Sequence, residues 1–168
     1  MEARRGQSCA LSKAHVITIS DGVFHGRRED KSGPGLITLL KAGGFEVGRP
    51  EVVPDEMEQI ADAIETAVTR GADIVVTTGG TGLGPRDVTP QATASLVEYE
   101  VPGIAEEMRR AGMTTTPMAA LSRGLAGVRG QALIINVPGS VKGATESLEA
   151  VMPMLSHAVK LLHGDTAH

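Results

Sequence analysis

The amino-acid sequence predicts an α/β fold in three layers, a mostly parallel sheet with helices on both faces. Short apolar runs rich in β-branched residues alternate with longer segments of helical periodicity, as is typical of parallel βαβ units. Four of these runs end abruptly in glycine, hydroxyl or acidic residues. Strands of an open parallel sheet end in this way where they lead into ligand-binding loops.

The first half of the chain predicts strands and helices in strict alternation. Three strands are predicted, at residues 14–20, 45–53 and 73–78. Two helices separate them, at residues 32–42 and 55–70. Ser32 is a candidate cap of the first helix, which Gly43 and Gly44 terminate. In the second helix apolar residues recur at helical spacing until Gly71, so one face of this helix is predicted to cover the sheet.

The second half is predicted to be mostly helical. Thr89 is a candidate N-cap, with Pro90 as the first helical residue. Residues 127–130 predict a turn that leads into a fourth strand at 132–137. An apolar stripe follows in the last helical region, where Pro153 either splits the helix or caps a second one.

Length and composition predict one domain covering residues 1–168, with a core at about 14–163 and tails at 1–13 and 164–168. The single cysteine, Cys9, excludes an internal disulfide framework and a cysteine-based zinc site. A net charge of −4 and few aromatic residues argue against nucleic-acid and membrane partners. No apolar run reaches the ~20 residues that cross a bilayer, and residues 1–13 lack a signal-peptide core. We therefore expect a cytoplasmic protein.

The candidate site lies where the four strands end, because the carboxyl ends of parallel strands meet at one edge of a sheet. The residues found there are Ser20, Asp21 and Gly22, then Asp55, then Thr78, Gly79, Gly80, Thr81 and Gly82 with Asp87, and finally Pro138, Gly139 and Ser140. Ser32 and Gly33 close the loop that follows the first strand. Each of Ser32 and Ser140 is either an anion contact or a plain N-cap.

The glycine loop at 79–84 follows a strand and precedes a helix, a geometry in which backbone N–H groups surround phosphate oxygens. It is not a Walker A loop, because Pro85 and Arg86 follow Gly84 where lysine and a hydroxyl residue are required. Pro85 also breaks the G-x-G-x-x-G dinucleotide pattern. The loop is therefore a general phosphate or anion cradle, or a tight turn that needs glycine for positive φ.

Two acidic residues in these loops have two interpretations each. Asp87 either holds Mg²⁺ against a phosphate or closes an Asx-type turn. Asp55 is predicted to cap the following helix, with Glu58 at the N3 position of a capping box, and can face the site at the same time. The candidate phosphate partners, or else solvated surface charges, are Lys31, Arg86, Arg123 and Lys142.

The segment TTGGTG followed by RDVTP, residues 77–82 and 86–90, resembles the molybdenum-cofactor biosynthesis family, to which molybdopterin adenylyltransferases and the gephyrin G domain belong. The resemblance continues in the expected order over most of the chain. It includes the segments 20–22, 29–34, 53–56, 102–103, 121–123 and 136–140. Such an ordered set is far more specific than a glycine loop alone.

The resemblance implies Mg²⁺- and ATP-dependent transfer of AMP to the terminal phosphate of molybdopterin, with release of pyrophosphate. It assigns the two essential acidic residues to Asp55 and Asp87, as metal or substrate contacts. It assigns the glycine loop and the Ser140 loop to the pterin and its phosphate, with the Ser20–Gly22 and Ser32 segments in the same pocket. It also implies a homotrimer that supplies a molybdenum-insertion enzyme.

Three alternatives stay open from the sequence: a non-catalytic molybdopterin carrier, a nucleotide pyrophosphatase and a structural trimer.

Overall fold

The computed structural model describes residues 11–166. Cys9 and most of the two predicted tails lie outside the described residues. Lys13, which was predicted to belong to the first tail, is the first residue of strand β1. Its backbone N–H donates to Asp73 Oδ2 at 2.7 Å, and its carbonyl accepts from the Asp73 N–H at 2.8 Å. These bonds explain why the strand begins there.

The structure contains strands and helices in an alternating order. They are β1 (Lys13–Ile19), α1 (Asp21–Phe24), α2 (Ser32–Ala42), β2 (Glu46–Val47), β3 (Glu51–Val53), α3 (Met57–Thr69), β4 (Ile74–Thr78), α4 (Thr89–Ala94), β5 (Tyr99–Glu100), α5 (Pro102–Met113), a 3₁₀ helix (Pro117–Leu121), β6 (Ala126–Arg129), β7 (Ala132–Val137) and α6 (Val141–Leu162). None of the helices in residues 11–166 is long and apolar enough to cross a membrane.

The sheet has the strand order β2-β1-β4-β7-β6-β5, and β3 also pairs with β1. Strands β1 to β4 and β7 are parallel, whereas β6 runs antiparallel to β7 and β5 antiparallel to β6. Thr78 pairs with Thr18 on one side and with Val137 on the other. This register places the carboxyl ends of β1, β4 and β7 side by side. The predicted mostly parallel sheet is confirmed, with an antiparallel edge added.

Two apolar cores confirm the predicted three layers. Along β4 and β7 successive residues face opposite sides, so that Val75 and Ile134 belong to one core while Val76 and Ile135 belong to the other. Helices α2, α5 and α6 cover the second of these faces, and α3 and α4 cover the first. All five residues of β4 are buried, as expected for a central parallel strand.

The strand predicted at 45–53 is two short strands in the structure. Both β2 and β3 pair with β1, and residues 48–50 between them leave the sheet. Pro50 lacks the N–H that a ladder requires, and Gly48 weakens a strand interior. The chain therefore interrupts its pairing with β1 at these residues.

The second half differs from the prediction at two strands. Residues 127–129 belong to strand β6, and the turn is confined to Gly130, at φ 59°, and Gln131. The region predicted to be mostly helical also contains β5. Both strands are stabilised by antiparallel pairing at the sheet edge, a tertiary interaction that local periodicity does not reveal.

Helix α6 is continuous through Pro153, so the predicted split is not observed. Pro153 lies on the exposed side of the helix, where water can satisfy the carbonyl that loses its partner. The predicted apolar stripe is buried on the opposite side, from Leu148 to Val159.

Asn136, near the end of β7, is a buried structural residue. Its side-chain N–H groups donate to Thr77 Oγ1 and Thr93 Oγ1, both at 2.9 Å, and its Oδ1 accepts from the Leu125 N–H at 3.3 Å. These bonds connect β7 to β4, to α4 and to the segment before β6.

We expect Asn136→Ala to lower the free energy of unfolding by about 2–4 kcal/mol, because it leaves buried polar groups unpaired and creates a cavity. Thr38→Ala removes an exposed bond to Pro34 O and is the control, with an expected change within about 0.5 kcal/mol. Urea denaturation measures both. Equal stability of the two variants would contradict a structural role for Asn136.

Candidate active site

A cleft of about 530 Å³ lies at the carboxyl ends of β1, β3, β4 and β7. It is lined by Ser20, Arg28, Lys31, Ser32, Asp55, Thr78, Gly79, Gly80, Asp87, Gly139 and Ser140, among others. The structure thus brings together residues from all four strand ends singled out in the sequence. Asp21, Gly22 and Gly33 lie beside the cleft without lining it.

A second pocket of about 280 Å³ lies next to this cleft. Thr81, Gly82 and Pro138 line it from the glycine-loop side, and Ser140 lines both cavities. The opposite wall is apolar and comes from α5 and the 3₁₀ helix, with Ala105, Met108, Met118, Ala119 and Leu121. One binding region therefore extends on both sides of the Pro138–Ser140 loop.

The glycine loop needs glycine at two positions. Gly79 has φ 108° and Gly80 has φ 64°. A Cβ at Gly79 would overlap the carbonyl oxygen of Ile19, and one at Gly80 would overlap Thr89 Oγ1. The loop is a tight turn and lines the cleft at the same time, so the two interpretations of its glycines are compatible.

Thr89 does not cap the helix that follows this loop. Val88 occupies the N-cap of α4, and Thr89 is the first helical residue. Thr89 Oγ1 instead donates to Gly79 O at 2.9 Å, and the Thr89 N–H donates to Gly80 O at 3.1 Å. The predicted cap is wrong by one residue, because the hydroxyl satisfies a carbonyl of the glycine loop.

Asp55 is not a helix cap either. Glu56 holds the N-cap position of α3 without a side-chain cap bond, so the predicted capping box with Glu58 does not form. Asp55 Oδ2 accepts from the Asp21 N–H at 2.8 Å, and the Asp55 N–H donates to Asp21 Oδ1 at 3.0 Å. This reciprocal pair joins the loops after β1 and β3 and turns Asp55 toward the cleft.

Asp87 lines the cleft and closes a turn with Gly84, which differs from the predicted Asx-type turn because its carboxylate accepts from an N–H three residues earlier in the chain. Its Oδ2 accepts from the Gly84 N–H at 2.8 Å, and its N–H donates to Gly84 O at 3.0 Å. Within residues 11–166, Asp87 Oδ1 and Asp55 Oδ1 make no hydrogen bond. Each carboxylate therefore keeps one oxygen available for a ligand.

The two serines at helix starts differ from one another. Ser140 is the N-cap of the 22-residue helix α6, and its Oγ accepts from the Gly143 N–H at 3.1 Å. Ser32 is the first residue of α2 and not its cap, which corrects the prediction. Asp30 performs that function, because its Oδ1 accepts from the Gly33 N–H at 3.0 Å. Ser32 is buried and lines the cleft.

Three of the four candidate phosphate partners have protein partners. Arg86 binds Asp21 through Nε and Nη2, both at 3.1 Å, and Glu56 at 2.8 Å. Arg123 donates to Gly82 O and Asp87 O. Lys142 lies 3.8 Å from Glu146. Lys31 is the fourth; it lines the cleft, and its side chain makes no hydrogen bond or ion pair in the described part of the chain.

Arg28 also lines the cleft and was missed in the sequence. Its side chain lies over Gly22, where a Cβ would be 2.8 Å from Arg28 Nε. No hydrogen bond or ion pair holds its guanidinium among residues 11–166. The signal was present, because Arg27 and Arg28 stand in the polar loop that closes the candidate site.

The pKa values of Asp55 and the neighbouring Asp21 are shifted in opposite directions. Partial burial raises the pKa of Asp55, against the hydrogen bond from the Asp21 backbone, and the Asp21 and Asp87 carboxylates add to the rise. The hydrogen bond from the Asp55 backbone lowers the pKa of Asp21, and Arg86 contributes to this lowering. Asp55 therefore carries uncompensated negative charge, which a cation would stabilise.

The donor set fits Mg²⁺ bound together with phosphate. Among residues 11–166, no group of three or more His, Cys, Asp or Glu side chains is placed to hold a metal ion by itself. Mg²⁺ commonly binds through one or two carboxylates plus substrate phosphates, and it needs no larger protein cage. Asp55 and Asp87 can supply these carboxylates, each through its unpaired oxygen.

Fold and site together define a class: an α/β domain with a cleft at the carboxyl ends of its parallel strands, lined by a glycine loop and charged side chains. Residues 15–157 match the family model described as a probable molybdopterin binding domain. The chain belongs to this family, as the resemblance in the sequence implied.

Similar proteins agree with this assignment. A molybdopterin adenylyltransferase of Helicobacter pylori is 39% identical over 154 residues, which cover 89% of this chain and 87% of that protein. A molybdenum cofactor biosynthesis bifunctional protein of Synechococcus elongatus is 39% identical over 90% of this chain, but this chain spans only 47% of its length. The crystal structure of the molybdopterin biosynthesis enzyme MoaB from Thermus thermophilus superimposes with a TM-score of 0.86 at 51% identity, covering 92% of this chain and 98% of that one.

We expect Gly79→Ala to lower the free energy of unfolding by at least about 3 kcal/mol, because positive φ and the clash with Ile19 O add together. Gly44→Ala is the matched control: Gly44 also has positive φ, at 87°, but open space around its Cα. It should cost about 1–2 kcal/mol. Thermal or urea unfolding compares the two. Equal losses would show that the close approach to β1 does not matter.

We expect Asp55→Asn to raise Tm by about 1–3 °C at pH 7, because it removes a partly buried charge and keeps an acceptor for the Asp21 N–H. A raised native pKa means that the folded state binds the proton more tightly than the unfolded chain, so stability falls as pH rises above the ordinary value of 3.8. The gain should therefore disappear near that value. Asp62→Asn, on the exposed side of α3, is the control, and an equal gain there would contradict this explanation.

Proposed function

We propose that this protein is a molybdopterin adenylyltransferase, which uses Mg²⁺ and ATP to transfer AMP to the terminal phosphate of molybdopterin. The observation that carries the proposal is the composition of the cleft. Asp55 and Asp87, each with an unpaired oxygen, line one cavity together with Arg28, Lys31 and the glycine loop, next to an apolar pocket. These are the groups that two phosphorylated substrates and a metal ion require.

The reaction needs positioning more than it needs a protein nucleophile. An oxygen of the pterin phosphate attacks the α-phosphorus of ATP and forms a new P–O–P bond. The bond from that phosphorus to the oxygen bridging toward the β-phosphorus breaks, and pyrophosphate leaves. A phosphate is already ionised and nucleophilic at neutral pH, so alignment and charge neutralisation are what the chain has to provide.

In this proposal the phosphates bind to Arg28 and Lys31, called here the cationic side of the cleft, and Glu29 and Asp30 line the cleft beside them. Arg28 and Lys31 have no protein partner among the described side chains, and the N-terminal amides of α2 begin beside them at Ser32. Helix α6 adds its positive end at Ser140 on the far side. The glycine loop lies between these two helices.

Asp55 and Asp87 would hold the metal ion, each through its unpaired carboxylate oxygen. Arg86 pairs with the Asp21 carboxylate, which leaves that carboxylate less available as a ligand. When bound, Mg²⁺ supplies charge neutralisation for the triphosphate. The pterin and adenine ring systems have broad faces that pack on apolar surfaces and edges that carry hydrogen-bonding groups. The pocket beside Pro138 and Met108 offers an apolar wall together with polar side chains such as Ser122 and Glu146.

The proposal also covers the oligomeric state, the location and the partner of the enzyme. We propose a single-domain cytoplasmic homotrimer that passes adenylylated molybdopterin to a molybdenum-insertion enzyme. Sedimentation of the purified protein tests the trimer, and co-purification with the insertion enzyme tests the transfer partner.

A non-catalytic molybdopterin carrier is the second candidate. The apolar pocket and the cationic side of the cleft serve binding alone equally well. The paired carboxylates favour the enzyme, because a carrier of an anionic pterin gains nothing from two negative charges beside the phosphate.

The first test is incubation of the protein with molybdopterin, ATP and Mg²⁺, followed by mass spectrometry for adenylylated pterin and pyrophosphate. We expect both products in equal amounts. Asp87→Asn should decrease turnover by about 10²–10³-fold and keep the fold, because an asparagine oxygen can still accept the Gly84 N–H.

Asp62→Asn is the control for this substitution and should retain full activity. Pterin binding without product would support the carrier instead, and an active Asp87→Asn variant would refute the assigned role of Asp87. Hydrolysis of ADP-ribose in the absence of pterin would indicate a nucleotide pyrophosphatase.

A further inference from the structure

A short segment between the 3₁₀ helix and β6 runs beneath the glycine loop and contacts it through Arg123. The Arg123 N–H donates to Thr81 O at 2.8 Å. Its Nε donates to Gly82 O at 2.8 Å, and its Nη2 donates to Asp87 O at 2.6 Å. One residue thus binds the beginning and the end of the loop that carries Asp87. A guanidinium makes stronger bonds to carbonyls than a neutral donor does.

The loop from Gly82 to Asp87 has few other attachments. Asp87 exchanges two bonds with Gly84 and so closes the loop onto itself. Residues 83–86 between them are exposed. On the outer side, Arg86 connects the loop to Asp21 and Glu56 through a contact that water reaches. The carbonyl of Asp87 is held by a partly buried hydrogen bond from Arg123 Nη2.

The backbone on both sides of Arg123 is held by hydrogen bonds. Arg109 on α5 donates from Nη1 to the carbonyls on both sides of Arg123, to Ser122 O at 3.3 Å and to Gly124 O at 3.1 Å. Gly124 packs against β7, where a Cβ would lie 2.8 Å from Asn136 O. Arg123 therefore connects the glycine loop to α5 and β7.

We propose that Arg123 is a positioning residue, which fixes the glycine loop and thereby the placement of the Asp87 carboxylate. This proposal rests on the proposed function, because it matters for turnover only if Asp87 takes part in the reaction. Arg123 lines neither cavity, and its Nε and Nη2 donate to carbonyls of the glycine loop, so its contacts are with the loop.

The test compares Arg123→Met, Arg123→Lys and the control Arg129→Met. The control also removes a two-point contact, between Arg129 and Glu65 at 3.1 and 3.2 Å. Arg129 lies at the end of β6 that pairs with the start of β7, away from the cleft. We expect Arg123→Met to decrease kcat by about 10–100-fold with less than about a threefold change in KM for ATP, because a misplaced carboxylate affects alignment more than binding. Arg123→Lys should recover part of kcat, since one ammonium can reach one of the two carbonyls. The control should keep the kcat of the unmodified protein.

Hydrogen exchange gives a readout that does not depend on turnover. In Arg123→Met, amides of residues 80–88 should exchange faster, while those of β4 and β7 exchange as in the control. Unchanged exchange in the loop, or a kcat equal to that of Arg129→Met, would overturn the proposal. An unmodified protein without turnover would refute the proposed function, and the loop exchange would then still decide whether Arg123 fixes the loop.

Discussion

The close approach of three strand ends without intervening side chains is the constraint on which the site depends. Gly79 lies against the carbonyl of Ile19, and Gly139 lies against Gly79, where an added Cβ would be 3.2 Å from the Gly79 Cα. Backbone meets backbone from β1 to β4 to β7. Because no side chain fills this space, the helix starts, the glycine loop and the two carboxylates all surround one cleft.

Hydrogen bonds give the carboxylates at the cleft different environments. The backbone N–H of Asp21 donates to the Asp55 carboxylate and that of Asp55 to the Asp21 carboxylate, while Arg86 pairs with the Asp21 carboxylate. Asp55 is left with a raised pKa and an oxygen without a partner. Arg28 and Lys31 lie in the same cavity and have no partner among the described side chains. Under the proposed function, this arrangement favours a nucleotide together with its metal ion over either one alone.

Much of the fold could be predicted from the sequence, because periodicity and glycine placement report local structure directly. The strand and helix alternation up to β4 and the burial of the α6 stripe are examples. Strands β5 and β6 could not be predicted, because they are stabilised by pairing with each other and, for β6, with β7 rather than by their own composition.

The site could be located from the sequence, but its contacts could not be assigned. Asp55 and Thr89 are residue types that favour helix N-caps. In the structure their side chains instead bond backbone groups of other segments, the Asp21 N–H and the Gly79 carbonyl. Arg86 and Arg123 have the charge of phosphate ligands, yet they bind protein oxygens. Local rules do not distinguish these cases, since the competing partner lies 34 residues away or more for Asp55, Arg86 and Arg123. The roles of the site residues in turnover stay predictions.

Helix α6 begins beside the cleft at Ser140 and ends at the opposite edge of the sheet. There His163 Nε2 lies 2.7 Å from Asp73 Oδ1, and Asp73 Oδ2 accepts from the Lys13 N–H at 2.7 Å. The first strand therefore begins beside the end of the last helix, far from the cleft. A polypeptide joined at either point would emerge on the side of the sheet away from the cleft and leave the cleft open. This geometry suits a domain that forms part of a longer chain, and the bifunctional relative is about twice as long as the matched region.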